Sequence, residues 1–155
     1  MLNIALWNIH GLSDHTFDDD FFMSLHCKYD IVGFTETMKQ ESLRNLPGFS
    51  SPFTVSAKKC KKRGRNSGGI LVYTKHNIRK GITLIKQSNF SIWLKLDKIK
   101  LGLQRTIYLC FCYITPYQKK EISENSFSGL ETEVSYFKGK GEILLCGDLD
   151  ARTGA

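Results

Sequence analysis

Short apolar runs recur along the chain, each closed by glycine, proline, asparagine or aspartate. Ile4–Trp7, Ile31–Phe34, Ile70–Tyr73, Ile107–Tyr113 and Ile143–Cys146 are continuous and rich in β-branched or aromatic residues, as expected of strands buried on both faces. Ser91–Asp97 partly alternates, which predicts a strand with one wetter face. Two stretches show helical spacing instead. Phe17, Phe21, Phe22, Leu25 and Tyr29 predict a helix from about Asp18 to Lys28, with Asp18, Asp19 and Asp20 at the positive end of its dipole. Phe127, Leu130, Val134 and Phe137 make one apolar face of a second helix, from about Phe127 to Lys138, which Gly139 stops. The aromatic residues of both helices are expected in the core. Residues 48–68 hold Gly, Ser, Pro and a basic run and predict long surface loops or an irregular hairpin. Strands with amphipathic helices predict an α/β or α+β domain whose sheets are covered by helices.

Length and composition fit one packed domain: 155 residues, 41% hydrophobic and 24% charged. The longest apolar run, Ile107 to Ile114, covers eight residues, whereas a spanning helix needs about 20. A membrane protein is therefore not expected, and no basic-then-apolar leader opens the chain. Five cysteines, Cys27, Cys60, Cys110, Cys112 and Cys146, form no CxxC pair. Most lie beside or inside apolar runs, so they are expected to be reduced, intracellular and structural, not zinc ligands. Net charge is +7 with pI about 9.2, which favours an anionic partner, nucleic acid above all. The charge is concentrated: Lys58, Lys59, Lys61, Lys62, Arg63 and Arg65 fall within eight positions. Such a run reads as a solvated loop, a phosphate-contacting loop or a nuclear-import signal.

Residues of catalytic type follow the predicted strands. Asn8 ends the first run, Glu36 follows Ile31–Phe34, Tyr113 closes Ile107–Tyr113, and Asp148 and Asp150 follow Ile143–Cys146. In layered α/β folds, loops at the carboxyl ends of strands aim side chains into a common cleft. Each residue alone reads equally as turn chemistry or core; together they point to a site.

The same residues resemble the motifs of the endonuclease/exonuclease/phosphatase superfamily. Trp7-Asn8-Ile9-His10-Gly11-Leu12 is similar to its first motif and Phe34-Thr35-Glu36-Thr37 to its second. Gly68–Tyr73 is similar to the glycine-led strand, Tyr113-Ile114-Thr115-Pro116 to the tyrosine motif, and Gly147-Asp148-Leu149-Asp150-Ala151-Arg152 to the Gly-Asp-Phe-Asn-Ala-Arg signature. With Thr153-Gly154 added, the tail resembles the endonuclease domains of LINE-type retrotransposons, relatives of abasic-site endonucleases. The resemblance covers essentially the whole chain. It implies a two-sheet β-sandwich flanked by helices, a four-layer α/β/β/α domain, with a DNA endonuclease site at one mouth. Glu36 would bind Mg2+, or Mn2+ in its place, and Asn8 would help hold that metal site. Tyr113 would hydrogen-bond the scissile phosphate, and Asp148 would orient or deprotonate the attacking water. DNA is the implied partner, the nucleus the implied compartment, and a downstream reverse transcriptase domain the implied neighbour in a full-length protein.

Two departures qualify the resemblance. Asp150 stands where the family has asparagine, and an ionised carboxylate accepts hydrogen bonds but cannot donate one to phosphate. The family also continues past this motif with more strands and a terminal Ser-Asp-His, so residues 1–155 are expected to be a truncated domain of marginal stability with open sheet edges. His10, His15, His26 and His76 are the only histidines, and they are expected at the surface or in loops. Two other functions remain open: another phosphoesterase of the superfamily, and a non-catalytic basic nucleic-acid-binding fragment.

Overall fold

The apolar runs are strands, and the alternation of their side chains decides what each sheet touches. The computed structural model describes residues 1–40, 44–59, 66–114 and 120–149, with the backbone alone for His26 and residues 120–125. Its strands are β1 (Ile4–Asn8), β2 (Ile31–Thr35), β3 (Phe53–Val55), β4 (Lys58–Lys59) and β5 (Asn66–Ser67), followed by β6 (Ile70–Thr74), β7 (Ile82–Gln87), β8 (Ser91–Leu96), β9 (Ile107–Tyr113) and β10 (Glu142–Asp148). The first sheet has the order β1-β2-β6-β3 and the second β10-β9-β8-β7, while β4 and β5 form a small hairpin. Two pairs are parallel, β1 with β2 and β9 with β10; the others are antiparallel.

The sheets pack face to face. Ile31, Val55, Ile70 and Val72 from the first meet Ile92, Leu94, Leu96, Leu109 and Phe111 from the second in one core. The alternate residues face outward. Val32, Phe34, Leu71 and Tyr73 are covered by Leu12, Phe17, Leu25, Leu46 and Phe49. Trp93, Tyr108, Cys110 and Cys112 are covered by Leu130 and Phe137. Where both faces of a strand are covered it must be apolar throughout, as β2 and β6 are. The short helices α1 (Asp20–Met23) and α2 (Leu25–Lys28) flank the first sheet, α3 (Lys98–Leu101) follows β8, and α4 (Lys120–Lys138) lies against the second sheet. This is the expected α/β sandwich flanked by helices. No helix among the described residues is long and apolar enough to cross a membrane.

At Gly33, β2 has no side chain and β9 fills the space. A Cβ on Gly33 would lie 2.4 Å from ring carbons of Phe111 on β9. The missing methyl group lets a phenylalanine ring fill the centre of the sandwich.

The details depart from expectation in five places. The run Ile143–Cys146, expected to be buried on both faces, forms β10 at the end of its sheet, with Leu144 and Leu145 exposed. The helix over Asp18 to Lys28 is broken: a 3-10 turn at Asp14–Asp18 precedes α1, and Ser24 separates α1 from α2. The Ser24 hydroxyl donates to the Phe21 carbonyl at 2.9 Å, local competition that serine offers a helix backbone. Phe21 on α1 and Phe127 on α4 are 45% and 39% exposed, not core. The strand β8 has no wet face, because Trp93 lies buried under α4 and only Lys95 is half-exposed. Finally, β3 and β7 are strands without a strong apolar signal, and the segment 48–68 contributes Phe49 and Val55 to the core.

Adding a methyl group at Gly33 is expected to destabilise the chain by about 1–3 kcal/mol through overpacking. Urea unfolding of Gly33→Ala checks this, and Phe111→Leu in the same chain should recover part of the loss. Equal stability of Gly33→Ala and wild type would show that the sheets are not this close.

Candidate active site

Four strands end at one mouth of the sandwich. Parallel pairing puts the carboxyl ends of β1 and β2 side by side, with Asn8 opposite Thr35, and likewise Tyr113 opposite Asp148 on β9 and β10. Beyond the strands the chain stays zipped together. Ile9, Gly11 and Leu12 donate their N–H groups to the carbonyls of Thr35, Glu36 and Thr37 at 3.1, 2.7 and 2.9 Å. Met38 N–H donates to the Gly68 carbonyl at 2.9 Å. A Cβ on Gly69, whose φ is +93°, would lie 2.3 Å from the Thr37 hydroxyl, so the glycine pair before β6 is what lets this loop close. The resulting backbone holds His10, Glu36 and Met38 at φ of 48°, 53° and 55°. Left-handed backbone is unfavourable for such residues and gathers at functional sites.

The side chains converge. The Asn8 amide nitrogen donates to Glu36 Oε1 at 3.1 Å and to Asp148 Oδ2 at 2.7 Å, so one amide holds two carboxylates. The Asn8 carbonyl accepts from the His10 N–H at 3.1 Å, so both ends of the amide are engaged. The Tyr113 hydroxyl donates to Glu36 Oε1 at 2.5 Å. His10 Nδ1 lies 2.8 Å from Glu36 Oε2. Burial pushes the Glu36 pKa up, but hydrogen bonds with Tyr113, Asn8 and His10 outweigh burial and hold the carboxyl below its ordinary value. Glu36 is therefore an anion at neutral pH.

These residues suit a hard divalent ion. Among the described residues no three His, Cys, Asp or Glu side chains form a metal-holding group. Magnesium asks for less: one or two carboxylates, with water and substrate phosphate completing its shell. Glu36, with Asp148 tied to it through Asn8, offers that.

The basic segment begins beside this mouth. Lys58 and Lys59 are exposed on β4, opposite Ser67 and Asn66 on β5. Asn66 donates to the Met38 carbonyl at 3.1 Å and, with His10, Ser13 and Met38, lines a cleft of about 360 Å³. That cleft shares His10 with the carboxylate network. Lys61, Lys62, Arg63, Arg65 and Asp150 lie outside the described residues. The structure thus brings Asn8, Glu36, Tyr113 and Asp148 together and puts Lys58 and Lys59 on the adjoining hairpin. His10 is the addition: expected as a loop residue, it is exposed but bonded to Glu36. Its signal was its place two residues after Asn8, and a sequence gives no warning of its left-handed φ.

Neither a protein-family model nor a curated protein matches the sequence. Solved structures do match the fold. A mannosyl-6-phosphatase of Bacteroides thetaiotaomicron superposes with TM-score 0.59 at 14% identity, over 99% of this chain and 67% of its own. An AP endonuclease of Archaeoglobus fulgidus gives 0.55 at 14% identity, over 97% of this chain and 58% of its own. TDP2 of Caenorhabditis elegans gives 0.56 at 14% identity, over 97% and 48%. A further match is described as an endonuclease/exonuclease/phosphatase family protein. The fold is that of the endonuclease/exonuclease/phosphatase proteins. The chain spans about half to two thirds of the length of these structures.

Tyr113→Phe removes the shortest hydrogen bond to Glu36 and should raise its pKa toward the ordinary 4.5. Because the folded value is depressed, the bond's contribution to stability is present above about pH 4.5 and lost as pH falls through the folded value. A carbon-13 titration of the Glu36 carboxyl reads the shift directly. An unchanged titration in Tyr113→Phe would show that the hydroxyl does not bond this carboxylate.

Proposed function

We propose that this chain carries the site of a magnesium-dependent phosphodiester hydrolase that nicks DNA, of the kind found in LINE-type retrotransposons. The observation behind the reading is the convergence of Asn8, Glu36, Tyr113 and Asp148 from four strand ends into one hydrogen-bonded cluster. Sequence resemblance had assigned these residues complementary roles, and a structural core alone gives no reason for two carboxylates to share one amide.

The geometry divides the work. Glu36, ionised and fixed by three hydrogen-bond partners, would hold Mg2+, with Mn2+ as a substitute. Bound there, the ion would neutralise the phosphodiester and stabilise the leaving oxygen. Asn8 acts as a brace, since its amide nitrogen is committed to both carboxylates. The Tyr113 hydroxyl stands beside the Glu36 carboxylate, where it can donate to a phosphate oxygen as charge builds. Asp148, held by Asn8, is a carboxylate able to orient the attacking water and take its proton. DNA is favoured over a small phosphoester by the basic hairpin at the mouth, where Lys58 and Lys59 open a run of six cations. The same run would serve nuclear import, and a reverse transcriptase domain would be the natural neighbour of such a nickase.

Purified chain should nick supercoiled plasmid in Mg2+ but not in EDTA, and Glu36→Ala should lose at least about 10²-fold of the rate. Folded protein with no nicking above Glu36→Ala would refute catalysis by this chain and leave nucleic-acid binding to test. Faster hydrolysis of a sugar phosphate than of DNA would point to a small-molecule phosphatase instead. Affinity for duplex DNA should fall with salt, and Lys58→Gln with Lys59→Gln should flatten the log–log slope by about 1.8, near 0.9 per lost phosphate contact. An unchanged slope would remove the hairpin stem from the DNA interface.

A further inference from the structure

A second cavity lies on the outer face of the second sheet, under the C-terminal half of α4. Its volume is about 580 Å³, within the range of small-ligand pockets. It is remote from the carboxylate cluster. Tyr108 lines the cavity and packs outward, whereas Tyr113 packs inward between the sheets. The two are five residues apart on β9, about 17 Å at strand rise.

The floor is apolar and nearly buried. Tyr108 and Phe137 stack with ring centroids 5.1 Å apart and planes 22° apart. Ile85 reaches the floor because the β7–β8 register shifts between Leu84 and Lys86, and a bulge of this kind re-aims a side chain. At the rim, Tyr136 is 63% exposed, with the Lys140 ammonium 3.4 Å from its ring centroid.

The charges at the rim are all positive. Lys86, Lys95 and Lys140 line the cavity and no carboxylate does. Lys86 is held in place by Glu133, a buried carboxylate on α4 that lies 3.2 Å away and also accepts from Trp93 and Ser91. That pair is neutral. Lys95 and Lys140 form no salt bridge to a described residue. Lys95 is close enough to Asp97 to help hold that carboxyl below its ordinary value, and Lys140 bonds the Tyr136 hydroxyl, so both ammonium groups stand at the rim with their charge only partly offset. An ammonium group binds phosphate as a point charge, and an aromatic wall takes a nucleobase of any identity by stacking.

We infer that this cavity binds a nucleotide unit, its base against the exposed ring of Tyr136 and Ile85, over the buried Phe137, and its phosphate at Lys95 and Lys140. The unit comes either from a free mononucleotide or from a single strand of nucleic acid. No metal is involved, and the site stands or falls separately from the phosphodiesterase reading.

The test is a titration of the nitrogen-15-labelled chain with thymidine monophosphate in EDTA, followed by amide chemical shifts. Shifts are expected at Lys95, Tyr108, Tyr136 and Phe137, and not at Asn8 or Glu36. Lys95→Gln and Tyr136→Ala should each weaken binding about tenfold or more, the worth of one good interaction. Lys95 is partly exposed and Tyr136 63% exposed, so at least one variant should keep the fold. Inorganic phosphate should bind more weakly than the nucleotide. Tighter binding of a thymidine oligonucleotide would identify single-stranded nucleic acid as the source, and equal binding a free nucleotide. The inference is overturned if no shifts occur at millimolar nucleotide, if they occur only around Glu36, if phosphate binds as well as nucleotide, or if both variants bind like wild type.

Discussion

One side-chain amide joins the two halves of this molecule at their mouth. Asn8 on the first sheet donates to Glu36, from its own sheet, and to Asp148, from the other. Two carboxylates that would repel each other are thereby held by a single neutral donor, and each sheet is anchored to the other beyond their shared apolar core. The arrangement depends on the strands beneath it. Because β1 runs with β2 and β9 with β10, all four side chains leave the sheets at the same end. Gly33 sets the spacing, since the ring of Phe111 occupies the volume its side chain would need. A small position deep in the sandwich therefore helps fix how far apart the carboxylates stand.

Electrostatics at the mouth follow from the same geometry. Burial disfavours a charged Glu36, and the network opposes that with three partners from three segments: Tyr113 at the end of β9, Asn8 at the end of β1 and His10 in the loop after it. Holding His10 and Glu36 in left-handed backbone is unfavourable. The interlocked N–H···O bonds from Ile9 to Leu12 and the glycine pair at 68–69 fix that backbone locally. The strain is spent on pointing an imidazole and a carboxylate at each other, which packing alone would not require.

Much of this was legible in the sequence. Continuous apolar runs mark β2, β6 and β9 because strands covered on both faces have no polar side to show. The same kind of run in β10 lies at a sheet edge with Leu144 and Leu145 exposed, since an apolar run gives a strand but not what covers it. The site residues were legible because each directly follows such a run. Other features depend on contacts that no local pattern encodes. The edge strand β7 is largely exposed, so its composition resembles a loop. Phe21 and Phe127 sit at helical spacing yet face outward, because spacing gives a stripe but not what covers it. Glu133 on α4 looks like an ordinary surface residue, but it is buried and bonded to Trp93 and Ser91. Only the crossing of α4 over β8 brings that about.

The matching folds belong to proteins described as a phosphatase, an AP endonuclease and TDP2. The fold therefore cannot choose among phosphoesters, and function has to be argued from the site. The carboxylate cluster is common ground, because any phosphoester needs its charge neutralised and a water aimed. Discrimination must come from the rim. A small sugar phosphate gains little from a lysine hairpin beyond its own reach, whereas a polyanion gains from every added cation through counterion release. Here the hairpin stem is tied to the mouth by Asn66, which bonds the loop carrying Glu36 and shares a cleft with His10. Lys58 and Lys59 are thus positioned relative to the carboxylates by the pairing of β4 with β5. That placement of two lysines beside the carboxylate cluster is the physical ground for proposing a long anionic substrate over a small one.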